Sequence, residues 1–264
     1  MNVVAIVNQK GGVGKTTAAA NLAAALAERD QRVLLVDLDP QGALTSIMGH
    51  TVQVGEPHIM HVLDPDEALP ISDVMRTTRD PRITLLPSHL ALANLEPRLV
   101  SSGLVYHFLL EDALKGASAD WALVDTAQGI GALTTMAIIA ADWLLVPVST
   151  QRLAYRGVTL LESVVPRLRR SARKPDAPIR ILRTMMRKGP LHDREISDAI
   201  ERAYAGNVFR TIITQSVVHA DAAVGIPGGS TVLWRFPSSQ AAQQWRDLAE
   251  EVIAFANAKK GGAS

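Results

Sequence analysis

Along the chain, short apolar runs bounded by turn-forming residues alternate with longer stretches in which apolar positions recur at helical spacing. The runs fall near Val3–Val7, Val33–Val36, Ile83–Leu86, Ala122–Val124, Trp143–Val146, Ile179–Arg183 and Thr211–Ile213, and each predicts a strand. Runs such as VLLV and WLLV lack the alternation of a half-exposed strand, which implies burial on both faces. Strands of this kind separated by helices predict an α/β fold, a mainly parallel twisted sheet with helices on both faces. The pattern is least regular between about His50 and Arg82, where Pro57, Pro65, Pro70 and Pro81 interrupt any helix after two or three turns. No chemistry is assigned to that stretch. The chain closes on a helical pattern, SSQAAQQWRDLAEEVIAFA, followed by a polar tail over 258–264 that is expected to fray.

The first predicted strand runs into KGGVGKTT, Lys10 to Thr17, and then into an alanine-rich helix. This is the strand–loop–helix context of a phosphate-binding loop, and it makes the fold a P-loop NTPase. Gly11, Gly12 and Gly14 let backbone N–H groups curl around an anion, with Val13 between them. Lys15 is placed to reach the β and γ phosphates, the Thr16 hydroxyl to hold magnesium, and the helix start near Thr17 to aim its dipole at the same anion. Two later apolar strands also end in acids. VLLVDLDPQG carries Asp37 and Asp39 into a turn set by Pro40, and WALVDTAQG carries Asp125. All three leave carboxyl ends of strands, where open α/β sheets bind ligands.

With its additional lysine, Lys10, the loop resembles the deviant Walker A motif of the ParA/MinD group of ATPases. The resemblance extends through VLLVDLDPQG, WALVDTAQG, Ala140 to Val158, Val208 to Gly225 and the last helix, and covers most of the chain apart from a variable region, 51–115. It implies a single domain over 1–264 that binds ATP and Mg2+ and hydrolyses ATP slowly. By the same resemblance, Lys10 reaches the nucleotide of a partner subunit in an ATP-dependent homodimer. Asp39 positions the attacking water, Asp37 lies near the metal, and Asp125 holds the metal's water shell. The resemblance further implies nonspecific binding of duplex DNA and stimulation of hydrolysis by a ParB-like, centromere-binding partner. Short plasmid-partition members of the family look closer than chromosomal ones. Two departures stand out: Ala127 and Gln128 replace the prolines usual after the Walker B aspartate, and Gly189, Gln215 and Val218 occupy places where chromosomal members carry DNA-holding arginines.

Composition narrows these expectations. The 264 residues are 47% hydrophobic and 20% charged, enough for one large domain, and the absence of cysteine rules out thiolate-ligated clusters and disulfides. A strand leading directly into the loop leaves no signal-peptide pattern, so a cytosolic protein is expected. The formal charge of +1 gives no global pull on nucleic acid, so any DNA contact must come from local patches.

Two such patches are candidates. One comprises Arg167, Arg169, Arg170, Arg173 and Lys174 at a helix end; the other comprises Arg183, Arg187, Lys188 and Arg194 around a strand-to-helix turn. Aromatic residues are too few, at 4%, and too scattered for single-strand stacking. His58, His61, His89 and His107 are read as surface or capping residues and not metal ligands, and Trp234 and Trp245 as packing for the last helix. That helix starts acidic and has a short apolar face, which argues against a membrane anchor. Rival readings are a positioning ATPase for a protein cargo, a MinD-like membrane-associated division regulator, a metabolic ligase of related fold, and a DNA-binding regulator without turnover.

Overall fold

The computed structural model describes all residues except 67, 102–105, 151–155, 188, 190 and 262–264. Eight strands form one sheet: β1 (Asn2–Ile6), β2 (Val33–Leu38), β3 (Arg76–Thr77), β4 (Ile83–Leu86), β5 (Trp121–Thr126), β6 (Trp143–Ser149), β7 (Ile179–Met186) and β8 (Val208–Thr214). Their order is β3-β4-β2-β5-β1-β6-β7-β8, and only the short edge strand β3 runs antiparallel. All seven predicted strands are present. The eighth, β3, escapes prediction because two residues of an edge hairpin leave no periodic signal.

Continuous apolar strands are buried on both faces for the reason their sequences imply. Val3, Ala5 and Val7 point into one core with Leu34, Val36, Ile138 and Val146, while Val4 and Ile6 point into another with Leu35, Leu145 and Trp245. Helix Lys15–Ala27 is buried almost throughout, packed between the sheet and helix Gln240–Gly261. Its run of alanines makes this possible, since small side chains let the flanking layers approach its backbone. Trp245 on the last helix is fully buried, as expected, whereas Trp234 is half-buried and stacks under Arg79. Contrary to the frayed tail expected from 258, that helix continues to Gly261; Lys259 Nζ donates to the Asp142 carbonyl and holds the last turn against the start of β6.

The irregular region resolves into short helices, Ile59–Leu63 and Ile71–Val74, and beyond β4 come helix Leu95–Ser101 and, before it, a 3-10 turn Leu90–Asn94. His58 and His89 cap the first and the last-named of these, accepting from the N–H groups of Met60 and Ala91. Among the described residues no group of three or more His, Asp or Glu side chains is arranged to hold a metal ion, and no helix is long and apolar enough to cross a membrane.

Candidate active site

β1 delivers the chain to Asn8, whose amide fixes the loop that follows. Its Nδ2 donates to the Pro147 carbonyl of β6 at 2.7 Å, and its Oδ1 accepts from the Lys10 N–H at 3.0 Å. From β7, the Thr184 hydroxyl donates to the Val13 carbonyl at 2.9 Å. Gly12 and Gly14 take φ of 72° and 91°, a region that a side chain strongly disfavours. Helix Lys15–Ala27 begins at Gly14 with no side-chain cap, so its leading N–H groups remain available to an anion. Strand, loop and helix thus follow one another as the sequence predicts, and the loop is shaped to cradle an anion.

The cradle forms one wall of a cavity of about 710 Å³, lined by Lys15, Thr16 and Thr17 and also by Asp39, Gln128 and Met185. Gln128, one of the two departures from the family pattern, lies against the loop: a Cβ on Gly11 would stand 2.5 Å from its Oε1. Lys10 is exposed and is not among the residues lining this cavity. A second cavity, about 270 Å³, shares Gly14, Thr17 and Met185 with the first and is lined further on by Gln215, His219 and Trp245. Its apolar walls and the Gln215 carboxamide suit a flat heterocyclic base. Met185, between the two, holds φ of 56°, a strained conformation for a side chain of that size and one that marks functional sites. Gln215 therefore stands at this second cavity, and Val218 packs against the core.

Beneath the cradle lie two carboxylates on paired strands, Asp37 of β2 opposite Asp125 of β5, both fully buried. Among the described residues, neither Asp125 oxygen has a partner at good hydrogen-bond geometry. Burial, then Asp37, drives its carboxyl well above the ordinary range, while the Thr16 hydroxyl and Lys15 ammonium pull the other way. A carboxylate left so short of partners fits a divalent cation, whose charge and bound waters would offset the cost of burial. Thr16 and Asp125 are the residues that would hold Mg2+. Asp37 is differently engaged: Oδ2 accepts from the Thr45 N–H at 2.7 Å and the Thr45 hydroxyl at 2.6 Å, and Oδ1 from the Asp39 N–H at 3.3 Å. Lys15 is also buried, and desolvation lowers its pKa against the attraction of Asp125 and Asp39.

Burial pushes Asp37 up to about 6 despite those three hydrogen bonds. A carboxyl whose folded pKa exceeds its unfolded value stabilises the protein most at low pH and loses that contribution as pH rises from the unfolded pKa through about 6. In the nucleotide-free, metal-free protein, Asp37→Asn is therefore expected to raise the melting temperature at pH 7.5, by a few degrees, and to change it little at pH 4. Thermal unfolding at the two pH values checks this.

The basic candidates divide sharply. Arg169 is buried, with Nη1 donating to the carbonyls of Ile138, Ile139 and Ala141 at 3.0, 3.0 and 2.7 Å and Nε to that of Pro175 at 2.7 Å. It closes the carbonyl end of helix Ala132–Ala140 and is unavailable to DNA, a correction to the sequence reading. Arg183 is likewise buried, donating to Ser197, Phe209 and Arg210 and pairing with Glu201 at 2.7 Å. Arg187 binds the fully buried Asp193 through two guanidinium contacts of 2.8 and 3.2 Å, and Lys174 pairs with Glu111. Arg170, Arg173 and Arg194 are exposed, and Lys188 lies outside the described residues. Arg170 and Arg173 precede β7 at the amino edge of the sheet, across the molecule from the cradle; Arg194 follows β7 on the cradle's side.

Sequence reasoning missed Asn8, Thr45, Ser88, Thr184 and Met185. Each acts on a segment distant in the chain or through a backbone conformation, and none sits in a motif that announces it.

Residues 1–176 match a family model described as AAA domain. The chain is 31% identical to the sporulation initiation inhibitor protein Soj of Bacillus subtilis, covering 96% of this chain and 98% of that one. It is 33% identical to the chromosome-partitioning ATPase Soj of Thermus thermophilus, covering 95% of each. Among solved structures it is similar to cobyrinic acid a,c-diamide synthase from Mycobacterium smegmatis with bound ADP and magnesium, at 29% identity, a TM-score of 0.81 and coverage of 96% and 94%.

Proposed function

Since the chain belongs to the ParA/MinD family of partitioning ATPases, we propose that ATP closes two copies of it face to face, that the closed dimer binds duplex DNA without regard to sequence, and that hydrolysis releases it. The observation that carries this reading is the placement of the two loop lysines: Lys15 is buried in its own cavity, whereas Lys10 is exposed beside it and free to act across a subunit boundary.

The residues then divide the work. Backbone N–H groups from Gly11 to Thr17 and the Lys15 ammonium bind the ATP phosphates, the base enters the Gln215 cavity, and Lys10 of each subunit reaches the nucleotide of the other. Thr16 and Asp125 would hold Mg2+, which would supply electrostatic stabilisation of the phosphates. Asp39 orients the attacking water. Phosphoryl transfer depends mostly on placement and charge, so a monomer lacking the partner lysine is slow, and a ParB-like partner has room to accelerate it. Cytoplasmic, nucleoid-associated action follows from DNA binding. The DNA-contacting face is assigned to the side bearing Arg194, because only that side adjoins the nucleotide.

Duplex-DNA binding measured with ADP, ATP and a slowly hydrolysed analogue at two salt concentrations tests this. Expected are binding with the ATP forms only, a steep fall with salt, and ATP-driven dimers in an Asp39→Ala variant that has lost turnover. Normal dimers without DNA binding would transfer the proposal to a protein cargo. An Asp39→Ala protein hydrolysing ATP at the parent rate would remove Asp39 from the mechanism.

A further inference from the structure

Asp39 must hold its carboxylate at one place on the cavity wall, yet it sits in a surface turn. Locally, the turn has a long bond back to β2, from the Asp39 N–H to Asp37 Oδ1 at 3.3 Å, one lateral bond, from the Gln41 N–H to Asp39 Oδ1 at 2.9 Å, and one across it, from the Gly42 N–H to the Asp39 carbonyl at 2.9 Å. Bonds spanning so few residues move with the turn and do not fix it relative to the phosphate loop.

The fixing comes from elsewhere in the chain. Ser88, buried and 49 residues away, donates its hydroxyl to the Asp39 carbonyl at 2.7 Å. Its own N–H donates to Thr45 Oγ1 at 2.9 Å. That hydroxyl in turn donates to Asp37 Oδ2 at 2.6 Å, and Asp37 lies on β2 directly beside Asp125 of β5. The chain Asp39 carbonyl, Ser88, Thr45, Asp37 is therefore continuous and buried from Ser88 onward, with every hydrogen assigned a single acceptor. It references the Asp39 turn to the rigid centre of the sheet beneath the metal-holding carboxylate. Neither Ser88 nor Thr45 lines the phosphate cavity.

We infer that Ser88 and Thr45 are positioning residues for hydrolysis: through the Asp39 backbone they set where the Asp39 carboxylate stands, and they contribute nothing to nucleotide binding. This rests on Asp39 acting as the water-orienting group. It gives a catalytic task to the region just past the proline-rich stretch, since Ser88 follows β4 and leads through His89 into the turn bearing Leu90, which is exposed at the cavity mouth.

The test is steady-state ATP hydrolysis by Ser88→Ala, Thr45→Val, Thr45→Ser and Asp39→Ala in the full-length protein, with the melting temperature of each. Ser88→Ala and Thr45→Val are expected to lower kcat about tenfold with KM for ATP within about twofold, because a small misplacement of a catalytic group costs rate and not affinity. Thr45→Ser, which keeps the hydroxyl, should restore most of the rate. Adding Ser88→Ala to Asp39→Ala should cost nothing further, since the serine acts only through that residue. If Asp39→Ala is inactive while Ser88→Ala and Thr45→Val turn over like the parent, the inference is overturned and the Asp39 reading stands. If Asp39→Ala is itself active, that underlying reading has failed. A rate loss that tracks a rise in KM and a fall in melting temperature, or that Thr45→Ser does not rescue, would reduce both residues to a structural role and also overturn the inference.

Discussion

Lys15→Ala is expected to weaken ATP binding by about a hundredfold and to abolish ATP-induced dimers, because it removes a desolvated charge aimed at the phosphates. Lys15 is 8% exposed, and its ammonium is held in a site where burial disfavours the charged form. Asp125 and Asp39 compensate only in part, so the site is arranged to accept the negative charge of a triphosphate. Removing the ammonium leaves the loop N–H groups and the helix dipole intact, and these alone retain weak phosphate affinity. The nucleotide-free fold should tolerate the change, since a costly buried cation disappears from it. Calorimetric titration of ATP, with light scattering to follow dimers, reads both effects. Parent-like affinity in Lys15→Ala would mean that the cavity takes its ligand in some other orientation.

Arg187→Glu should have the largest effect on stability, although the guanidinium is half-exposed and looks on sequence like a surface charge. Its partner decides the matter. Asp193 has no solvent exposure, accepts from the Arg187 guanidinium and backbone N–H and from the Thr150 hydroxyl, and is held down to about 2, first by the guanidinium hydrogen bonds. A glutamate at 187 would leave that carboxylate buried, without its counter-charge and facing a like one. Urea unfolding of Arg187→Glu and of Arg187→Gln should show the loss, larger for glutamate; a midpoint equal to the parent in both would show the pair to be energetically idle. Loss of DNA binding in Arg187→Glu would consequently be uninformative about a DNA surface, and Arg194→Glu is the substitution that tests one.

The two arginines contrast in what the sequence could say about them. Arg169 and Arg170 stand side by side in one basic run, yet one is exposed and the other satisfies three carbonyls at the end of a helix about 30 residues earlier. A helix of that run's composition has the same charge whether its cations face water or neighbouring carbonyls. Only the packing of helix Arg156–Ser171 on helix Ala132–Ala140 separates the cases.

By itself the sequence determined the α/β sheet, its strands but for β3, and the glycine-bent loop between β1 and its helix. These depend on periodicity and on residues adjacent in the chain: apolar runs buried on both faces, glycines whose φ the loop requires, and acids delivered by strand ends. Tertiary structure decided how those parts are held. Asn8 on Pro147, Thr184 on Val13 and Ser88 on Asp39 join residues 139, 171 and 49 positions apart. It also decided which cations are spent inside the fold and which face solvent. Such pairings arise when strands distant in sequence become neighbours in the sheet, and a hydrogen bond leaves no period in the chain that makes it.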